Sequence, residues 1–101
     1  MGNSASHQVP ALESLRMQLD QIDDELLDAI HRRLDCCVRI GHIKRDSGIA
    51  MMQPGRIQFV RARLARYAAR SGLSEPFVQD VYSLLIEEAC RLENVVINGK
   101  G

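Results

Sequence analysis

The chain has no tryptophan, and two tyrosines and two phenylalanines are its whole aromatic content. Its formal net charge is zero. Both facts argue against a nucleic-acid-binding module, which needs a basic face and flat rings for stacking. Three cysteines, Cys36, Cys37 and Cys90, form neither a C-x-x-C pair nor an even disulfide framework. They read as small buried apolar residues of a reducing, cytoplasmic compartment. No apolar run approaches membrane-spanning length, and no signal-peptide hydrophobic region exists. His7, His31 and His42 have no triad or metal spacing, and nucleophile, P-loop and G-x-G-x-x-G motifs are missing. No strand pattern, internal repeat or low-complexity tract occurs.

What is present is helical periodicity and uneven charge. Asp20, Asp23, Asp24, Glu25 and Asp28 cluster early, whereas residues 32–70 hold ten Lys/Arg against Asp35 and Asp46. A basic middle calls for an anionic partner. "MGNSAS" matches a myristoylation pattern, but that pattern is short and common. A flexible leader over residues 1–9 is the preferred reading, followed by a helical domain over 10–97 and a frayed tail over 98–101.

From Leu12 the apolar positions Leu15, Leu19, Ile22, Leu26, Ala29, Cys36, Ile40 and Ile43 follow at alternating steps of three and four. With Pro10 in its first turn and Ser47-Gly48 as its stop, this predicts one helix of about 36 residues, roughly 54 Å long. A compact 100-residue domain has a radius of gyration of about 13 Å, so such a helix needs a partner, most simply a second copy. A second helix is expected from Pro54 to Arg70, its stripe formed by Ile57, Val60, Leu64 and Tyr67 or Ala68, with Gly72 as its stop. A third is expected from Glu75 to Val96, capped by Ser74, with Phe77, Val81, Leu84, Leu85, Leu92 and Val95 as its stripe. The fold class is therefore all-α, three helices per chain with one very long.

Arg33 interrupts the apolar seam of the first helix. An arginine there needs an anion, either an acid on the third helix as a structural ion pair or a bound ligand. Lys44 lies eleven residues on, which is three turns plus about 20°, so the two point the same way roughly 16 Å apart. Arg16 lies seventeen residues before Arg33, about 25 Å away and turned by about 100°. It cannot join Arg33 within one chain, but across a dimer of long helices it could serve the partner's site. Glu87 and Glu88 read as solvated surface, and periodicity alone does not single out Glu93. The residues suit a binder of a small dicarboxylate, or an enzyme working by positioning and electrostatics. "MMQPGR", Met51 to Arg56, breaks the helical pattern, and is either a turn or a wall of that site.

"LRMQLDQIDDELLDAIHRRLDCCVRIGHIK" and "LIEEACRLE" resemble the all-helical chorismate mutase family, whose pattern is Leu-Arg, Ile-Asp, a paired Arg and Gly-x-x-Lys. The resemblance covers residues 11–96. It implies three helices per chain entwined in a homodimer with two sites, each borrowing an arginine from the other protomer. On the matching positions, Arg16 reaches a substrate carboxylate in the partner's site and Arg33 binds a carboxylate within the chain. Lys44 and Glu93 fall on the ether oxygen whose bond breaks, and Arg56 opens the second helix. Gln53 and Ile57 stand where ordinary members have acids lining the part of the site that holds the substrate's C4 hydroxyl. Ala89 replaces a commonly polar position.

With "ARYAA" and "CR-x-E", the stretch "MMQPGR" is similar to the 4-amino-4-deoxychorismate mutases of pathways to p-aminophenylalanine, an antibiotic precursor. The resemblance implies a Claisen rearrangement of 4-amino-4-deoxychorismate to 4-amino-4-deoxyprephenate, an intramolecular transfer. Arginines orient the two carboxylates, and Lys44 and a protonated Glu93 stabilise charge on the ether oxygen. No metal or organic cofactor is implied, and the partners are a small dicarboxylate and a second copy, not nucleic acid or membrane. Chorismate mutase proper and isochorismate-pyruvate lyase are the alternatives on the same fold.

Overall fold

The computed structural model describes residues 3–99. Helices α1 (Asn3–Ser47), α2 (Pro54–Ser71) and α3 (Glu75–Asn98) follow one another, and no strand occurs among the described residues. The chain divides after Arg32 into two compact units.

The first unit consists of the N-terminal part of α1. Helix starts at Asn3, not at Pro10, so the leader expected over 1–9 is helical in its described part, while Met1 and Gly2 lie outside the described residues. Nothing between Asn3 and Val9 breaks a helix, and Pro10 lies within α1, where it removes a backbone donor and its ring crowds the carbonyl four residues back. The expected stripe of Leu12, Leu15, Leu19, Ile22 and Leu26 is exposed along its whole length.

The second unit holds the C-terminal part of α1 with α2 and α3. Gly48 ends α1 in the left-handed region at φ 67°, where a side chain would be strained. The Ile49 N–H then donates to the Lys44 carbonyl at 2.9 Å, closing the last turn. Pro54 sits in the first turn of α2, and Gly72 stops that helix by donating its N–H to the Ala68 carbonyl at 3.0 Å. Ser74 caps α3, its hydroxyl accepting from the Phe77 N–H at 3.3 Å.

Helices α2 and α3 pack through Leu64, Ala68 and Ala89, which are buried, whereas Tyr67 stays exposed beneath the Arg70 guanidinium. Arg61 fixes their register. Its guanidinium donates to the Gln79 carbonyl, the Gln79 side-chain oxygen and the Ser83 hydroxyl, and Gln79 donates back to the Arg61 carbonyl. This fork satisfies donors that a lysine could not aim in the same plane. On α3 the N-terminal half of the predicted stripe, Phe77, Val81 and Leu84, is exposed, and the buried positions are Ala89 and Glu93. Helix α3 continues to Asn98 and ends at Gly99; the rest of the expected frayed tail lies outside the described residues. Among the described residues no helix is long and apolar enough to cross a membrane.

Candidate active site

A cavity of about 280 Å³ opens within the second unit. Helix α1 contributes Arg33, Cys37, Ile40 and Lys44 to it, a four-three-four spacing that lays one face of the helix along the cavity. Ile57 and Val60 of α2 and Ala89, Cys90 and Glu93 of α3 form other walls. Met51, Met52, Gln53 and Arg56 close it, so "MMQPGR" is a wall of the site as well as a turn. Its place is held by Lys44, whose ammonium donates to the Met51 carbonyl at 2.7 Å.

The same ammonium meets Glu93 Oε1 at 2.8 Å, with both side chains largely withdrawn from solvent. Two of its three donors are thus engaged, and one is left for a ligand. Glu93 is the buried charged residue of the described chain, at 7% exposure. Its carboxyl faces the Lys44 ammonium across that contact.

Arg33 makes no ion pair, and its Nη1 is buried without a hydrogen-bond partner among the described residues. Its guanidinium instead lies over the Tyr82 ring, 5.2 Å from the centroid. The structural ion pair with an acid of α3, open on sequence grounds, is not what the structure shows. A buried guanidinium N–H without a partner on a cavity wall can pair with a carboxylate.

Arg56 is exposed and stacks on Phe59 at 5.0 Å, with Gln53 exposed ahead of it and Ile57 half-buried. Arg16 belongs to the first unit, where it is exposed and paired with Glu13 at 3.1 Å. Glu88 pairs with Arg91 at the surface, which lowers the carboxyl's proton affinity through that hydrogen bond.

Cysteine placement differs from expectation. Cys36, read as the seam residue, is exposed, and Cys37 turns toward the cavity instead. Burial, and more weakly the charge of Glu93, pushes the Cys37 thiol up, with Arg33 opposing. Sequence reading missed Cys37 and Cys90 as wall residues, although Arg33, Cys37 and Lys44 share one face by their spacing.

The chorismate mutase type II family matches residues 15–94. A 4-amino-4-deoxychorismate mutase of Streptomyces venezuelae is 47% identical over 87 residues, covering 86% of this chain and 84% of its own. A second, of Streptomyces pristinaespiralis, is 48% identical over 90 residues, covering 89% of this chain and 70% of its own. An isochorismate pyruvate lyase of Pseudomonas aeruginosa is 31% identical over 75 residues, 74% of this chain and 73% of its own. No solved structure gives a significant match.

Proposed function

This chain belongs to the chorismate mutase type II family, and from that premise we propose that it rearranges 4-amino-4-deoxychorismate to 4-amino-4-deoxyprephenate. The observation that carries the reading is the unpartnered, buried Nη1 of Arg33 in a cavity that also holds the Lys44–Glu93 pair. The site has cations for a dicarboxylate and a donor for an ether oxygen, which is what a Claisen rearrangement requires. The choice of the 4-amino substrate follows the two Streptomyces relatives, and is supported by Gln53 and Ile57 on the wall.

In this reaction the ether C–O bond breaks as a C–C bond forms within the same molecule. No external nucleophile enters and no covalent intermediate is required. Arg33 holds one carboxylate, and Arg16 of the partner subunit reaches the other. Fixing both ends brings the reacting carbons together and converts binding energy into orientation. The ether oxygen gains negative charge as its bond breaks, and the uncommitted N–H of Lys44 stabilises it in a site sheltered from water. Glu93 holds Lys44 in place and, once protonated in the complex, adds a second donor to that oxygen. Arg56 lies at the mouth of the cavity, and Ala89 leaves room on its α3 wall.

A homodimer is part of the same reading. It rests on the exposed stripe of Leu12, Leu15, Leu19, Ile22 and Leu26 together with exposed Phe77 and Leu84, apolar surface that water disfavours. A cytoplasmic setting is in keeping with three cysteines that stand as free thiols. Incubating the purified protein with 4-amino-4-deoxychorismate and following the product by NMR tests the reading. Formation of 4-amino-4-deoxyprephenate is expected, and unchanged substrate would refute it.

A further inference from the structure

Gly41 is buried in the C-terminal part of α1, one turn before Lys44. A Cβ at this position would lie 3.3 Å from both the Cα and the Cγ of Glu93, and 3.5 Å from its Cβ. Contacts this short are tighter than ordinary van der Waals packing, and one of them is to backbone, which cannot swing aside. Glycine inside a helix is otherwise unfavourable, by about 1 kcal/mol relative to alanine. Its place in a helix interior therefore needs a reason, and here the reason is the approach of α3.

That approach occurs at the residue whose carboxylate meets Lys44 at 2.8 Å. Gly41 and Lys44 stand three residues apart and so share a face of α1. The space a side chain would take at Gly41 is filled by the backbone and the base of the side chain of Glu93, while Lys44 meets its tip. The helix separation at Gly41 thus sets how far Glu93 reaches and where the Lys44 ammonium comes to rest. The wall opposite is also held through Lys44, because Met51 accepts from the same ammonium at 2.7 Å. A displacement of Glu93 is passed through Lys44 to the loop that closes the cavity.

We propose that Gly41 is a positioning residue of the active site: its missing side chain sets the α1–α3 separation that places Glu93 and Lys44 for the reaction. The proposal rests on the function inferred above. Gly41 touches no substrate and acts through Glu93 alone.

Gly41→Ala separates this role from a merely structural one, because alanine favours the helix while crowding the site. The experiment compares wild type and variant by thermal unfolding, far-UV circular dichroism, and kcat and KM for 4-amino-4-deoxychorismate. The expected variant is helical, with a thermal midpoint close to that of wild type. Its kcat is lower by about tenfold, a fraction of the roughly hundredfold that a misplacement of about 1 Å can bring. Its KM changes little, since Arg33 lies two turns away on α1. A folded variant with wild-type kcat would overturn the proposal. So would a variant that fails to fold, which would assign Gly41 to the fold and not to the site. Absence of turnover by the wild type would instead remove the functional reading on which the proposal rests.

Discussion

Lys44 and Glu93, forty-nine positions apart in the chain, meet at 2.8 Å inside the second unit. Each is the other's means of being buried, since a charge withdrawn from water is tolerated only when paired. Removing one partner leaves the other stranded. Lys44→Met should therefore destabilise the protein, by on the order of 3 kcal/mol. Its kcat should fall by roughly a hundredfold or more, as expected for losing a donor to developing charge. Glu93→Gln should behave differently, because the amide keeps an oxygen for Lys44 and adds a donor. It should remain folded and active. Denaturant unfolding and steady-state kinetics of both variants check this; an inactive Gln variant would remove Glu93 as a donor to the ether oxygen.

Arg33→Ala should abolish turnover and leave the fold intact. Among the described residues Arg33 makes no ion pair, so its removal strands no acid there, and the loss of its contact with Tyr82 amounts to about 0.5–1 kcal/mol. Arg33→Lys should not restore activity, because an ammonium cannot offer the guanidinium's paired donors to a carboxylate. Activity close to wild type in Arg33→Ala would make Arg33 structural.

Arg16 should act in trans. Chains carrying Arg16→Ala and chains carrying Arg33→Ala are each expected to be inactive. Mixed under conditions that allow exchange, they form heterodimers in which one site has lost both arginines and the other has both. Partial recovery of activity is the expected outcome. Heterodimers that form and stay inactive would show that Arg16 does not serve the partner's site.

Cys37 carries a pH signature. Burial is the first cause that holds its thiol above the ordinary value of 9.0. The native state then keeps the proton more tightly than the unfolded chain. Stability from this source is intact below 9.0 and is lost as pH rises from there through the folded value. Iodoacetamide, which attacks the thiolate, should label exposed Cys36 ahead of Cys37 in the native protein. Mass spectrometry of the labelled peptide checks the order, and Cys37 labelling first would contradict the burial.

Much of the fold was legible in the sequence because helices announce themselves by period and by caps. Ser74, Pro54, Gly48 and Gly72 mark ends that the structure places within a residue or two. The phase of α1 was less legible. A step of seven from Ala29 leads to Cys36, but an α-helix of 3.6 residues per turn drifts against a seven-residue repeat. The face turned inward by the second unit is Arg33–Cys37–Lys44, one residue along from that step. Pro10 was read as a beginning, yet α1 runs through it from Asn3. Arg33 and Lys44 were legible as cations on a shared face. Glu93 was legible through the resemblance and not by periodicity, because a carboxylate on a helix reads as surface until its distant partner is known. Gly41 was legible as the glycine of Gly-x-x-Lys, but the reason for it was not, since that lies in the space above it, which only α3 defines.

The central claim is the identity of the substrate, and turnover of 4-amino-4-deoxychorismate, chorismate and isochorismate by the same preparation tests it most directly. Gln53 and Ile57 line the cavity at the positions where, by the resemblance, ordinary chorismate mutases carry acids. The account predicts the highest kcat/KM for 4-amino-4-deoxychorismate, with 4-amino-4-deoxyprephenate as the product. A higher kcat/KM for chorismate, or release of pyruvate from isochorismate as the leading activity, would contradict it.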